Sequence, residues 1–455
     1  MKTLEQIAAE LQGYDPQALP AETVNAFLAE LVAPVTEFEQ LPLMQALGRV
    51  LAEDIVSPIS VPPHDNSAMD GFAFCGAQLV RDQALSLRIV GTALAGAAWR
   101  GQVGPSECVK IMTGAVMPEG LDTVVPQEFT RVVGDVVEIP ANLLKPGDNR
   151  RHLGEDLMAG QPALQKGELL APAALGLVAS LGIGTVPVLR RVRVAYFSTG
   201  DEILSLGEAP REGAVYDSNR YTVFGLLTRL GCEVIDLGVV KDEPAQLEAA
   251  FREAAARADA VITSGGVSVG EADHTKAMMR QLGDVAFWRI AMRPGRPMAV
   301  GRIPRSRLAN DAAAERPISA KSASGHATDG AASYPKDSNA VLFGLPGNPV
   351  AVMVTFLAFV RPALLRLMGA RSQPTLYLRA ASAEPIRKKP GRTEYQRGIV
   401  TRAADGAVSV RTTGNQGSGV LSSMVQANGL IVLGHAQGNV AEGDLVDVMV
   451  FDGAI

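Results

Sequence analysis

The amino-acid sequence predicts a multidomain α/β plus β protein: a mostly parallel α/β three-layer domain, two small β domains and a discontinuous helical domain. Three observations predict it. Between 190 and 367, short β-branched runs alternate with helical periods, which implies a parallel sheet with helices on both faces. At 61–148 and 373–455 the pattern is instead short strands broken by glycine and turn residues. The chain also has 455 residues, more than one ordinary core holds. The expected domains are 1–60 with 149–188 (helical and extended), 61–148 (β), 189–372 (α/β) and 373–455 (β-barrel-like).

Composition narrows the function. Apolar residues make up 47% of the chain, so a disordered chain is excluded. The formal charge of −6 and pI near 5.6 argue against nucleic acid as a partner. An anionic ligand would therefore need local arginines or a metal. Cys75, Cys108 and Cys232 lie far apart with no C-x-x-C pair, and the five histidines are scattered. That excludes a disulfide framework and structural zinc, and it fits a reducing cytoplasm. Acids near the N-terminus do not suit a signal peptide. The longest apolar run, 350–360, is too short to span a bilayer. A cytoplasmic protein with no membrane or nucleic-acid partner is expected.

Taken in order, Leu4, Ile7, Ala8 and Leu11 share a helical face, 23–31 is a second amphipathic segment, and 42–52 reads as a third. From Val61 the run VPPHDNSAMDGFAF is dense in turn residues. Asp65, Asn66, Ser67 and Asp70 there read first as a turn that caps its own backbone. Strands follow at 71–74, 85–90, 108–112, 123–127 and 136–139. Thr113, at a strand end before Gly114, is on this reading a turn hydroxyl. The charged turn 149–156 carries Arg150, Arg151 and Asp156, a solvated surface or a phosphate-plus-metal site. The apolar helix 172–181 is expected to return to the first helices.

The α/β domain carries the most chemistry. Strand 191–198 runs into Thr199-Gly-Asp-Glu202, and Asp217-Ser-Asn signals the N-cap of a helix at 220–230, with Gly231 after it. Strand 232–240 ends in Lys241-Asp242 before a helix to 258. Strand 260–263 breaks into SGGVSVGEAD, in which Ser264, Gly265, Gly266, Ser268 and Gly270 suit an anion-binding nest. Glu271 and Asp273 add carboxylates for a hard cation. The alternative is a glycine-rich connection whose acids start the next helix, 274–282. Strands at 285–290, 297–300 and 340–343 complete the series. After the last, Pro346, Gly347, Asn348 and Pro349 predict a helix capped by Asn348, whose N-terminus would attract anions. Ligands of such sheets bind beyond the carboxyl ends of the strands. Arg289 and Arg293, if extended, share a face. Residues 304–339 are predicted to be a disordered insertion. In the last domain, Arg397 and the loop 413–419 present further polar groups.

With these residues in view, the chain resembles the molybdopterin molybdenumtransferase family (MoeA proteins and the gephyrin E-domain), nearly end to end. The motifs are DNSAMDGFA at 65–73, IMTGAVMPEG at 111–120, RHLGEDL at 151–157 and FSTGDEI at 197–203. They continue with YDSNR at 216–220, TSGGVSVGEADH at 263–274, LPGNPV at 345–350 and GRTEYQRG at 391–398. The resemblance implies four domains, an α/β domain like the molybdopterin adenylyltransferases, and an elongated homodimer whose cleft uses both subunits. The implied reaction takes molybdate and adenylylated molybdopterin to the molybdenum cofactor, releasing AMP with Mg²⁺. Carried over, the catalytic positions are Asp70, Thr113, Asp156, Glu202, Asp242 and Asp273, of which Glu202, Asp242 and Asp273 would hold Mg²⁺. Substrate contacts fall on Ser264, Gly265, Gly266, Ser268, Gly270, Lys276, Arg289, Arg293, Pro346, Gly347, Asn348, Pro349, Arg397 and Ser418. Implied partners are a molybdopterin adenylyltransferase and proteins that accept the cofactor. Two departures stand out: Arg289 and Arg293 sit where lysine is frequent, and His274 where tyrosine is common. Alternative readings are a molybdopterin adenylyltransferase, or a scaffold that kept the fold without catalysis. A Rossmann dehydrogenase is disfavoured because no G-x-G-x-x-G opens a helix.

Overall fold

The computed structural model describes residues 2–11, 14–267, 274–305, 334, 338–372 and 374–451. They form two compact units, Gln40–Val188 and Met1–Glu39 with Leu189–Ile455.

The Gln40–Val188 unit holds the first β domain. Its six-stranded sheet runs Thr123–Pro126, Gly71–Phe74, Glu107–Ile111, Leu85–Ala93, Val136–Ile139, Arg131–Val133. Every predicted strand of this region is present. The rest of the unit is bridged loops and the expected helix, Pro172–Ser180, around a core of Ala46, Leu51, Leu170, Val178 and Val186. Segment 42–52 is not the expected helix. It makes one 3₁₀ turn, Leu43–Gln45, and Gly48 then takes φ +71°. Beyond it Leu51 N–H donates to Glu168 O (3.0 Å) and Ala52 N–H to Pro187 O (3.1 Å). Its apolar spacing serves a loop with neighbours on both sides as well as it serves a helix.

The second unit contains helices α1 (Leu4–Glu10) and α2 (Ala21–Leu31). These were expected to pack with 149–188, and here they pack on the α/β domain. The buried stripe Val24, Phe27, Leu28 and Leu31 meets Trp288 edge-on through Phe27, centroids 4.9 Å apart. Arg302 donates to Lys2 O at 2.7 Å, and Arg366 to Val32 O at 3.1 Å. Arg302 also donates to Leu31 O, so the two arginines satisfy carbonyls at the end of α2 that have no intrahelical donor.

The α/β sheet comprises β1 (Arg193–Thr199), β2 (Glu233–Val240), β3 (Ala260–Ser264), β4 (Asp284–Arg289), β5 (Pro297–Pro304) and β6 (Asn339–Leu345), in the order β2-β1-β3-β6-β5-β4. The first four in that order are parallel; β5 runs against them, and β4, antiparallel to β5, runs with them again. The chain leaves β1 for β2 on one side and returns to β3 on the other, so the topological switch lies between β1 and β3. Helices α3 (Ser218–Leu230), α4 (Pro244–Arg257) and α5 (His274–Leu282) follow as expected. Asp217 caps α3 by accepting from Arg220 N–H, and Gly231 ends it in the left-handed conformation at φ +89°. The core on one face joins Ala195, Phe197 and Val261 of the sheet to Leu247 and Phe251 of α4 and Met278 of α5.

Helix α6 (Pro349–Leu367), with a π-helical turn at Phe356–Val360, is the helix expected after Asn348. It is long and apolar enough to cross a membrane, yet 78% of its apolar window is buried in the protein, as in a core helix. Most of 304–339 lies outside the described residues. At its margins Arg305 and Tyr334 are held: Arg305 donates to Ser338 Oγ at 2.7 Å and stacks 3.8 Å over the Tyr334 ring.

The C-terminal strands close on themselves. Thr393–Arg402 pairs with Val408–Thr412 on one side and Gly429–Leu433 on the other, with Leu378–Ser382 and Leu445–Val450 completing the ring. The pair Met292–Arg293 joins this barrel in parallel beside Thr393 and Glu394. That link positions the site.

Candidate active site

A cavity of about 850 Å³ opens at the carboxyl edge of the α/β sheet. Four strand ends supply one wall: Thr199 and Glu202 after β1, Asp242 after β2, Gly265 and Gly266 after β3, and Pro346, Gly347 and Asn348 after β6. Gly265 sits at the switch point with φ +91°, where an added Cβ would lie 2.3 Å from Thr199 O. Only glycine lets the two loops approach so closely. Glu202 and Asp242 bring the carboxylates. Asp242 Oδ1 accepts from the hydroxyl of Thr275, a fully buried residue, at 3.1 Å.

A second part of the lining wall is basic. Because β5 is antiparallel, its start lies at the same edge, and the loop into it carries Arg293 and Arg296 into the cavity. Arg392, Gln416, Gly417 and Ser418 of the barrel complete that wall. Carboxylates and arginines thus line one space. Such a site suits an anion on the arginine side and a hard cation on the carboxylate side. Glu202 and Asp242 present only oxygen donors, which fits Mg²⁺ held by one or two carboxylates and a substrate phosphate. Among the described residues no three His, Cys, Asp or Glu side chains group as a metal site.

Several predicted residues are placed elsewhere. Ser264 faces away from the cavity into a buried hydroxyl cluster, 2.6 Å from Tyr196 Oη and 3.2 Å from Ser198 Oγ. Burial pushes the Tyr196 phenol pKa up, so it stays protonated. Arg289 does not share a face with Arg293. It ends β4 and is backbone-bonded to Pro16 and Leu19, whereas Arg293 belongs to the barrel sheet. Lys276 lies in the first turn of α5, outside the cavity lining. Ser268, Gly270, Glu271 and Asp273 lie outside the described residues.

Arg397 is also not a lining residue. Its side chain, 1% exposed, donates to Ser423 Oγ (3.0 Å), Gly417 O (2.9 Å) and Asn415 O (3.2 Å). Burial, and then the charge of Arg293, brings its pKa down to about 10. It holds the loop from which Ser418 reaches the cavity. Asn348 occupies the cap position of α6 without capping it. Its amide donates instead to Ser418 Oγ at 3.0 Å, and Val350 N–H donates to Ser418 O at 3.1 Å. The start of α6, with Pro349 at its first position, is therefore docked on the barrel loop, where the sequence suggested a free anion site.

In the Gln40–Val188 unit, Asp70 and Thr113 form a pair. Thr113 donates both its N–H and its hydroxyl to Asp70 Oδ1, each at 2.7 Å. Those bonds, the backbone one first, hold the Asp70 carboxyl below its ordinary pKa and keep it ionised. The turn holding Asp156 pairs with the same segment through Arg150 opposite Ser67 and Arg151 opposite Asn66. Asp156 itself is exposed.

Three models of known families match in series: "MoeA N-terminal region (domain I and II)" over 19–182, "Probable molybdopterin binding domain" over 195–366, and "MoeA C-terminal region (domain IV)" over 379–451. A molybdopterin molybdenumtransferase of Haemophilus influenzae is 40% identical over 94% of this chain and 97% of its own length. The chain belongs to the MoeA molybdopterin molybdenumtransferase family. A Nostoc member named molybdopterin molybdenumtransferase is 33% identical over 93% of this chain and 91% of its own length. A crystal structure of the molybdopterin biosynthesis MoeA protein of Pyrococcus horikoshii superimposes with TM-score 0.74 at 25% identity, covering 95% of this chain and all of that one. The relatives' names support a transferase of molybdenum-cofactor biosynthesis. Residue by residue, the cavity gathers Glu202, Asp242, Gly265, Gly266, Arg293, Pro346, Gly347, Asn348 and Ser418 from the sequence expectations. It adds Arg296 and Arg392, and from the expected loop 413–419 it also takes Gln416. The R-P-G-R and G-R-T-E strings were visible signals for the two arginines, but which of them would face inward was not.

Proposed function

We propose that this chain inserts molybdenum from molybdate into adenylylated molybdopterin, releasing AMP and forming the molybdenum cofactor in a Mg²⁺-dependent step. The observation that carries the reading is one cavity lined by both carboxylates and arginines. Molybdate, the dithiolene and the pyrophosphate are all anionic. Arg293 and Arg296 would bind and orient them through charge-assisted hydrogen bonds. Glu202 and Asp242 would hold Mg²⁺, with Asp273 the third candidate from the sequence. When bound, the ion supplies Lewis-acid neutralisation of phosphoryl oxygens. Gly265 and Gly266 let backbone N–H groups approach the phosphates. Ser418, held by Arg397 and Asn348, presents a hydroxyl from the barrel loop.

In the same proposal the protein works as a cytoplasmic homodimer, and Asp70, Thr113 and Asp156 act in a cleft shared between copies. Tyr221 and Phe224, one helical turn apart and exposed on α3, with exposed Leu206, Val215 and Tyr216, give the second unit an apolar surface suited to a second copy. A molybdopterin adenylyltransferase would supply the substrate, and cofactor-accepting proteins would take the product.

The test is AMP release from adenylylated molybdopterin with Mg²⁺, with and without molybdate. Molybdate-dependent release with molybdenum-loaded product supports the insertase. Consumption of ATP and molybdopterin instead would make it an adenylyltransferase. A folded dimer inactive in both assays would be a scaffold.

A further inference from the structure

We propose that Arg392 is an oxyanion-binding residue of the cavity and that Glu394 positions it; the inference rests on the functional reading above. Both residues stand at the start of a barrel strand, in the motif GRTEYQRG, from which the sequence expectations took only Arg397 as a site residue. Glu394 is a carboxylate whose side chain is 2% exposed. A charge so buried is costly unless it is paired and fully hydrogen-bonded. Here it is. Oε1 accepts from Arg392 Nε at 2.8 Å and from Nη2 at 2.7 Å, while Oε2 accepts from Gln396 Nε2 at 3.0 Å.

That pairing uses one edge of the guanidinium. Arginine carries donors on three nitrogens in a rigid fork. Among the described residues Nη1 of Arg392 has no protein partner, and the side chain keeps 32% exposure at the cavity wall. Glu394 is thus a lever that fixes which edge of Arg392 is presented. Its neighbour across the ladder is Arg293, paired by register with Glu394 itself, so Arg293 and Arg392 enter the cavity from adjacent strands. The charged groups on this wall are Arg293, Arg296, Arg392, Glu394 and, behind the loop, Arg397. One carboxylate among four arginines leaves the wall short of negative charge. A tetrahedral oxyanion supplies it, either free molybdate or a phosphoryl group.

The experiment measures binding of molybdate and, separately, of AMP with Mg²⁺ to the full chain by calorimetry. Three variants accompany the wild type: Arg392→Lys, Glu394→Gln, and the double variant Arg392→Met with Glu394→Gln. The double variant removes both charges, so no lone buried carboxylate confuses folding with binding. Thermal denaturation monitors each. Arg392→Lys and the double variant are expected to weaken one anion roughly tenfold, the loss of a charge-assisted hydrogen bond. Glu394→Gln should weaken it less, at an unchanged melting temperature, because the fork is freed and not removed. Loss confined to molybdate assigns the free oxyanion, and loss confined to AMP assigns the phosphoryl group. Wild-type binding that all three variants retain overturns this inference alone. A wild type that binds neither anion overturns the functional reading, and this inference with it.

Discussion

The two walls of the cavity are built on different principles. The carboxylate wall is local: Glu202 and Asp242 each follow directly on a strand of one parallel sheet, so topology alone brings them to one edge. The basic wall is composite. Arg293 and Arg296 come from the loop between antiparallel strands, and Arg392 from a barrel almost a hundred residues on, stitched to that loop by two residue pairs. The difference teaches that a parallel sheet gathers distant residues by rule, whereas a barrel docked against it gathers them by contact. Residues of the first kind are readable from spacing; those of the second are not.

Four measurements would break or sharpen that contrast. The largest effect is expected on the carboxylate wall. Asp242→Asn should lower molybdate-dependent AMP release by about 100-fold or more, since it removes charge where the transition state needs it. Wild-type turnover in that variant would end the metal assignment. On the basic wall, Arg296→Ala should weaken anion binding about tenfold while Arg289→Ala changes it less than twofold. Equal losses would mean that the sequence pairing of Arg289 with Arg293 holds after all.

Smaller effects test the support beneath the walls. Thr275→Val deletes the hydroxyl that Asp242 accepts, and it should raise the Mg²⁺ requirement several-fold to tenfold, with Thr275→Ser restoring it. An unchanged Mg²⁺ dependence would make Thr275 a packing residue against Gly266. The smallest effect concerns Asp70. Its folded pKa is depressed, so the stabilisation is present above the unfolded carboxyl pKa and is lost as pH falls through the lower folded value. Thr113→Val should return the Asp70 pKa upward, and the stability gap between wild type and variant should narrow on acidification. NMR titration of the Asp70 carboxyl reads this directly, and an unmoved pKa would leave the retained Thr113 N–H, not the hydroxyl, as the cause of the depression.

Much of the fold was legible. The strands of the α/β sheet fall within a few residues of their predicted bounds, because β-branched runs bounded by glycine have few other ways to be buried. The failures have physical causes. Segment 42–52 has helical spacing but a glycine at positive φ and ladder partners at 168–170 and 187, which no local pattern reveals. Ser264 reads as an open donor because it borders glycines, yet strand alternation turns its hydroxyl toward Tyr196. Arg397 reads as a ligand because of its charge, and burial makes it the prop of the ligand loop.

By itself, then, the amino-acid sequence determined the family, the parallel sheet, and the edge at which chemistry gathers. Each depends on order and spacing along the chain. Tertiary structure alone decided which arginines face the cavity, that α1 and α2 pack on the α/β domain, and that α6 begins against Ser418. Those outcomes depend on contacts between residues 70 to 300 positions apart. Such contacts arise only when complete elements bury their apolar faces together, and local propensity does not encode which faces will meet.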